Sequence, residues 1–267
     1  MLQAVGNGHD AHYERSQRNS VAALAAARDD GKVHLLLAAS GSVATIKIPE
    51  IVKALAKHHG RLSIRIILTK SARQFLAGQS KEQPTVSSLL HLPNVDAVYG
   101  DEAEWAEPWR RGAPILHIEL RRWADLLAIV PLSANTMAKI VNGLCDGILT
   151  SVVRAWDADG AIDGLFRGRP KRILVAPAMN SAMARHPITA RQLRVLEEDW
   201  GVGRGGEGGD AANGDGGEGR QQQQQGWVEV VRWQDSKALA CGDVGIGAMR
   251  DWREIVEILE ERLGLNE

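Results

Sequence analysis

Cysteine is scarce in this chain of 267 residues, which carries only Cys145 and Cys241. Two cysteines cannot form a disulfide framework, and their rarity favours a reducing compartment such as the cytoplasm. No apolar run approaches the roughly 20 residues that cross a bilayer. Residues 1–30 also lack the apolar core of a signal peptide. We therefore expect a soluble, cytoplasmic protein that does not associate with a membrane.

An excess of either charge is also missing, because 32 basic residues balance 33 acidic ones and the net charge is −1. Nucleic-acid binding depends on a basic surface, so the composition gives no reason to expect a nucleic-acid partner. We predict no metal site. What remains is a chain long enough for one α/β domain.

Residues 124–131 form an apolar run without polar alternation, as is typical of a parallel strand covered on both faces. Further strands are predicted at residues 33–39, 62–68, 95–99, 172–176 and 227–231. Segments with helical spacing separate them, at residues 44–58, 70–76, 118–124, 137–141, 148–156, 181–200 and 251–263. This alternation predicts a single α/β domain with a doubly wound parallel sheet, a flavodoxin-like or Rossmann-like three-layer fold.

Two segments are predicted to lie outside the packed core. Residues 1–31 are expected to be a mobile N-terminal extension, although residues 21–28 have the composition of a helical turn or two. The domain is expected over residues 32–264, interrupted by an insert at residues 201–226. In that insert 11 of 26 residues are glycine, and five consecutive glutamines precede its last residue. Such a composition cannot bury a core and indicates an outward, disordered loop.

A candidate ligand site follows from the turns behind the predicted strands. The first turn, Gly41-Ser42-Val43, lacks the G-x-G-x-x-G pattern that lets a backbone meet a dinucleotide pyrophosphate. Hydroxyl side chains instead follow three strands, namely Ser40, Ser42, Thr69, Ser71, Ser133 and Thr136. Ligands bind at the carboxyl edge of such sheets, and small hydroxyls with free N–H groups suit one terminal phosphate, as in FMN. Serine and threonine are also common after strands for structural reasons alone.

Five motifs occur in an order and spacing that identify a family. They are Ser40-Gly41-Ser42-Val43-Ala44, the stretch HIELRRWAD from His117, Pro131-Leu132-Ser133-Ala134-Asn135-Thr136, Pro177-Ala178-Met179-Asn180 with Met183, and Cys241-Gly242-Asp243 with the glycines that follow. Together they resemble the phosphopantothenoylcysteine decarboxylases of coenzyme A biosynthesis, which are flavin-containing cysteine decarboxylases. The resemblance covers about residues 32–201 and 227–263.

The resemblance implies FMN-dependent decarboxylation of 4′-phosphopantothenoylcysteine to 4′-phosphopantetheine. A cysteine carboxylate has no electron sink beside it, so the thiol is first oxidised to a thioaldehyde, CO₂ leaves, and the enethiolate is reduced again. The FMN site would be lined by Gly41, Ser42, Val43, Thr69, Ser71, Ser133, Ala134, Asn135, Thr136 and Ala178. The family forms trimers with active sites between subunits, which implies a homotrimer or a heterotrimer with paralogues.

The same resemblance assigns the reacting side chains. His117 would be the base, Asn180 would hold the substrate carboxylate, and Cys241 would return a proton, while Met183 and Ala240 would contact substrate. Each assignment has a plainer alternative. His117 and Asn180 can simply cap the helices that they begin, and a cysteine such as Cys241 is often only a small apolar residue.

Two departures from the family pattern stand out. Ala184 occupies a position where the family usually has tryptophan, and Ala238 occupies one where it often has a basic residue. We expect them to affect substrate packing, trimer stability and phosphate-end affinity more than FMN binding. The alternative function is that of a non-catalytic or dual-role regulatory subunit of a Ser/Thr phosphatase on the same fold. A prenyl-FMN synthase or a peptidyl-cysteine decarboxylase is a further alternative.

Overall fold

The structure is a computed structural model that describes residues 20–106, 108–163, 171–203, 226–233, 237–238 and 244–266. Its centre is one six-stranded sheet with the order β3-β2-β1-β4-β5-β6, in which every neighbouring pair is parallel. The strands are β1 (Val33–Ala39), β2 (Leu62–Leu68), β3 (Val95–Tyr99), β4 (Leu126–Leu132), β5 (Arg172–Pro177) and β6 (Val228–Val230). The predicted doubly wound α/β fold is confirmed, with the strand order of Rossmann-type sheets.

Helices cover both faces of this sheet. They are α1 (Val21–Ala26), α2 (Ile48–Ala54), α3 (Lys70–Arg73), α4 (Leu116–Trp123), α5 (Ala134–Val141), α6 (Ile148–Arg154), α7 (Ser181–Arg185), α8 (Pro187–Arg194) and α9 (Trp252–Arg262). Successive residues of β1 point to opposite faces, so Leu35 and Leu37 join one core with α2 and α9, while Leu36 joins a second core with α4, α5 and α6. No described helix has the length and apolar character needed to span a membrane.

The main differences between the observed and the predicted bounds of helices and strands occur at prolines. The single helix expected over residues 181–200 is observed as α7 and α8, because His186 before Pro187 adopts an extended backbone (ψ 134°). A π-helical turn, Val195–Asp199, follows α8. The strand expected to stop at Pro131 continues to Leu132, with a register shift against β5 that accommodates the missing N–H group.

The folded domain begins earlier than the expected boundary at residue 32. Helix α1 is capped by Ser20, whose Oγ accepts a hydrogen bond from the Ala23 N–H at 3.1 Å, and Leu24 is fully buried. Arg28 forms an ion pair with Glu119 of α4. Residues 20–28 of the predicted mobile extension therefore pack on the domain.

The two ends of the predicted insert meet in space. The N–H group of Val202 donates to the Val228 carbonyl at 2.9 Å, and the N–H group of Trp227 donates to the Trp200 carbonyl at 2.9 Å. The indole rings of Trp200 and Trp227 stack with centroids 5.2 Å apart. The chain therefore leaves and rejoins the domain at one place, and residues 204–225 of the insert lie outside the described residues.

Candidate active site

Four loops that carry predicted site residues meet at the carboxyl edge of the sheet. They follow β1, β2, β4 and β5, which are consecutive in the order β2-β1-β4-β5. The chain crosses to opposite sides after β1 and β4, so the gap between these strands is the point where ligands bind in open α/β sheets. The sequence thus places the predicted FMN-site residues side by side, although they are distant along the chain.

Ser40 and Gly41 hold these loops together. The fully buried Ser40 Oγ donates to the Pro131 carbonyl at 3.0 Å and accepts from the Ser133 N–H at 2.7 Å. A Cβ atom on Gly41 would lie 2.6 Å from the Ser71 Oγ, so only glycine lets the first turn approach the turn after β2. The backbone at Gly41 therefore lies close to the turn after β2, and the two turns can contact the same ligand.

Three of the turns begin with a hydroxyl that caps the helical segment behind it. Ser42 accepts from the Ala44 N–H at 3.4 Å, Thr69 from the Ala72 N–H at 3.3 Å, and Ser133 from the Thr136 N–H at 3.3 Å. These distances exceed the usual 2.7–3.2 Å, so the caps are weak. Since the first N–H groups of a helical turn have no partner within it, this edge presents several donors and three hydroxyls to an anion.

The other predicted FMN-site residues differ in exposure. Val43 is 44% exposed, and Asn135 is exposed at the start of α5. Thr136 is buried, and its Oγ1 accepts from the Ser133 Oγ at 3.2 Å. Ala178 is buried, with its N–H donating to the Leu132 carbonyl at 2.9 Å. The site therefore combines an exposed apolar side chain with buried groups that fix the loops.

Asn180 ends the turn after β5 and caps α7. Its Oδ1 accepts from the Met183 N–H at 2.8 Å, which confirms the capping alternative and leaves the amide NH₂ group to donate elsewhere. Asn180 is exposed, and Met183 is 45% exposed. The predicted role of Asn180 in holding a carboxylate is compatible with this cap, because the two use different atoms of the amide.

The base of the loop that carries Cys241 packs on the Asn180 turn. The Met179 N–H donates to the Gly247 carbonyl at 2.9 Å, and the Ser181 Oγ donates to the Ile246 carbonyl at 3.2 Å. Gly247 has φ +106°, and a Cβ there would lie 2.5 Å from the Met179 carbonyl oxygen. Ala184, at the position where the family pattern usually has tryptophan, is buried beside Gly247, where an added Cβ would lie 3.0 Å from the Ala184 Cβ.

The predicted Cys241 and Ala240 themselves lie outside the described residues. The segment is bracketed by two short strands, Lys237–Ala238 and Val244–Gly245, which pair in antiparallel fashion. A Cβ on Gly245 would lie 2.4 Å from the Ser181 Oγ, so the second strand reaches the start of α7. The chain therefore enters and leaves the Cys241 segment close to Asn180.

His117 is the second residue of α4. Its Nδ1 lies 2.9 Å from the Glu104 Oε1, and its backbone N–H donates to the Glu104 Oε2 at 3.2 Å. The imidazole is 23% exposed, whereas the Glu104 side chain is only 6% exposed. No contact among the described residues joins His117 to Asn180, so the convergence of imidazole, amide and thiol stays a prediction.

A cavity of about 830 Å³ lies beside Glu104. Its wall includes Trp105, Trp109, Arg73 and Leu116, the residue that precedes His117. Trp105 is 64% exposed and Trp109 is 52% exposed. Neither tryptophan received a role from the sequence, because they lie in a loop without periodicity.

Buried ions fix the C-terminal half of α4. The Arg121 Nη1 lies 3.2 Å and the Lys171 Nζ 3.1 Å from the Asp163 carboxylate, and Lys171 also donates to the Arg121 carbonyl at 2.6 Å. These three side chains are all less than 10% exposed. Burial lowers the pKa of Lys171, and the Asp163 carboxylate opposes that effect. Asp163 therefore compensates two buried cations beside the helix that carries His117.

Replacing Asp163 with asparagine is expected to destabilise the domain by about 3 kcal/mol, because two buried cations lose their compensating charge. The loss is expected to shrink as the pH rises toward 10.5, the ordinary pKa of lysine, since Lys171, whose pKa is lowered by burial, gives up its proton in the folded protein below that pH and then no longer needs the Asp163 charge. Urea unfolding at several pH values measures this. The exposed Asp159 gives the control, and equal stability of D163N and D159N would contradict the prediction.

Comparison with known proteins agrees with this geometry. The chain matches the family described as Flavoprotein over residues 24–264. It is 35% identical over 229 residues to the phosphopantothenoylcysteine decarboxylase of Mus musculus, covering 85% of this chain and 86% of that protein. A subunit of the same enzyme from Saccharomyces cerevisiae, SIS2, is 33% identical over 89% of this chain. The chain spans only 30% to 41% of the length of the first four curated relatives, which are fungal.

Solved structures give the same result. A PPC decarboxylase with a cysteine-to-serine change, complexed with pantothenoylaminoethenethiol, is 35% identical with a TM-score of 0.62, covering 86% of this chain and 97% of that one. The FMN binding protein AtHal3 is 37% identical with a TM-score of 0.60, covering 86% and 96%. The chain therefore belongs to the Flavoprotein family, and its predicted resemblance to the phosphopantothenoylcysteine decarboxylases is confirmed.

Proposed function

We propose that this chain decarboxylates 4′-phosphopantothenoylcysteine to 4′-phosphopantetheine with FMN as its cofactor. The observation that carries the proposal is the meeting of three hydroxyl-capped turns and the Asn180 turn at the switch point of the sheet. The match to nearly the whole mouse decarboxylase supports the same activity.

The residues at this edge fit FMN. The close approach at Gly41, the N–H groups at the three capped turns and their hydroxyls suit a single phosphate, and Val43 offers an apolar surface. We assign Gly41, Ser42, Val43, Thr69, Ser71, Ser133, Ala134, Asn135, Thr136 and Ala178 to the cofactor. When bound, FMN would accept a hydride from the substrate and return it.

The protein's own groups then bind substrate and move protons. Asn180 would bind the substrate carboxylate through its amide NH₂ group, which the cap leaves free to donate. His117 would take the thiol proton. Cys241 would return a proton to carbon, with Met183 and Ala240 against the substrate.

A direct assay tests the activity. Purified full-length protein is expected to be yellow, and incubation with 4′-phosphopantothenoylcysteine is expected to yield CO₂ and 4′-phosphopantetheine, followed by mass spectrometry. If the protein carries FMN and forms no phosphopantetheine from this substrate, the proposed function fails.

The cofactor site makes a separate prediction at Gly41. In G41A, the new Cβ would meet the Ser71 side chain at 2.6–2.7 Å and push the first two turns apart. Overpacking of this kind costs about 1–3 kcal/mol, so FMN should bind about 5- to 150-fold more weakly. Flavin released on dialysis measures the change.

Two further variants separate the contact from a general effect of adding a methyl group. The double variant G41A/S71G removes the obstructing side chain, so it should bind FMN as tightly as S71G alone, with no further loss from the alanine. Gly203 has open space around its Cβ position, so G203A should bind FMN as the unchanged protein does. Unchanged affinity in G41A would contradict the assignment of this turn to the cofactor.

We further propose that the active protein is a trimer, of identical chains or with paralogues, with active sites between subunits. Large apolar side chains are exposed at the candidate site and around the cavity, namely Val43, Trp105, Trp109 and Met183. Their exposure, and the lack of a described contact between His117 and Asn180, support a site completed by a neighbouring subunit. Light scattering should give about three times the 29.0 kDa chain mass. The scarcity of cysteine supports a cytoplasmic location.

A further inference from the structure

Both carboxylate oxygens of Glu104 contact the same residue, His117. Oε1 lies 2.9 Å from the His117 Nδ1, and Oε2 accepts from the His117 backbone N–H at 3.2 Å. An ionised carboxylate only accepts hydrogen bonds, so the ring nitrogen that faces it carries the proton. No hydrogen bond among the described residues reaches the other ring nitrogen of His117.

On the basis of the proposed decarboxylase function, we propose that Glu104 is the positioning residue for His117. It holds the neutral imidazole with its proton on Nδ1 and leaves the Nε2 lone pair free to take the substrate proton. The two hydrogen bonds, one to the backbone and one to the ring, also fix the ring's orientation at the start of α4. Neither the family motifs nor the sequence pattern assigns a role to Glu104.

Helix capping explains only one of the two hydrogen bonds between Glu104 and His117. Ile115 occupies the N-cap position of α4 and cannot cap the helix with its side chain. The Glu104 Oε2 supplies the missing acceptor, and its negative charge is favourable at a helix N-terminus. The second oxygen adds nothing to the cap, because it contacts the imidazole, and it is this contact that sets the tautomer.

Glutamine at position 104 separates the two roles. Its single carbonyl oxygen can accept from the backbone N–H and keep the cap, which turns its NH₂ group toward the His117 Nδ1. The NH₂ group is a donor, so Nδ1 must then accept and the ring proton moves to Nε2. E104Q therefore keeps the helix start but presents a protonated Nε2 to the substrate.

Two measurements test the effect of E104Q on the His117 tautomer and on turnover. Histidine ¹⁵N spectra distinguish the protonated from the bare ring nitrogen, and the His117 signals are assigned by their loss in H117N. With the pH raised until the imidazole is neutral, the unchanged protein should show the proton on Nδ1, and E104Q should show it on Nε2. In the assay, E104Q should lower kcat about 10- to 100-fold while KM changes less than about twofold.

The control is the same change two residues earlier. Glu102 is 67% exposed and pairs with Arg73, so E102Q should alter neither the tautomer nor kcat. A proton on Nε2 in the unchanged protein overturns the proposal even if E104Q fails to fold, and so does full kcat in E104Q. If the unchanged protein shows no decarboxylase activity, the proposed function fails, while the spectra still report on the link between Glu104 and His117.

Discussion

Replacing His117 with asparagine should abolish turnover while the protein remains folded and yellow. Loss of a general base costs about 10²- to 10⁴-fold in rate, and asparagine has no group that takes a proton at neutral pH. Its NH₂ group can still donate to the Glu104 carboxylate, so the start of α4 should stay in place. Phosphopantetheine formation and the visible absorption spectrum, measured on the same sample, separate loss of chemistry from loss of cofactor.

The matched control for this variant is His59, an exposed histidine whose Nδ1 lies 3.2 Å from the Asn94 Oδ1. H59N should turn over at the rate of the unchanged protein. A normal rate in H117N would refute the assignment of His117 as the base. Loss of flavin in H117N would show instead that the histidine supports the cofactor site.

The sheet could be predicted from sequence because its strands are buried on both faces. Val33–Ala39, Leu62–Leu68 and Val95–Tyr99 are observed with the predicted bounds, because each is a short, mostly apolar segment between polar turns. The turns behind the strands were predicted for the same reason. The loops that follow parallel strands lie at one edge of the sheet. The order of strands and loops in the sequence therefore predicts which residues lie at that edge.

Groups that act across long sequence separations could not be predicted in this way. Glu104 lies 13 residues before His117 in a loop without periodicity, and only the folded chain shows that they touch. One signal was available, because Ile115 cannot cap α4 and a nearby acidic residue could supply the acceptor. The packing of helix α1 on the domain was likewise not predicted, since the burial of Leu24 depends on elements far along the chain.

Replacing Cys241 with serine is expected to uncouple loss of CO₂ from formation of the final product. The steps up to decarboxylation need the base and the carboxylate site, which this change leaves intact. The last step needs an acid, and an aliphatic hydroxyl gives up its proton far less readily than a thiol. C241S should therefore release CO₂ and yield an enethiol that is lighter than 4′-phosphopantetheine by two hydrogen atoms.

A related solved structure supports this expectation, since it is a cysteine-to-serine PPC decarboxylase complexed with pantothenoylaminoethenethiol. CO₂ release and product mass, measured on one reaction mixture, test it here. The control is C145S, because Cys145 is exposed and its Sγ donates a hydrogen bond to the nearby Gly143 carbonyl, so normal phosphopantetheine yield is expected. A normal yield from C241S as well would mean that the final proton comes from another group. That result would leave the Asn180 turn, on which the base of the Cys241 loop packs, as the place to look for the donor.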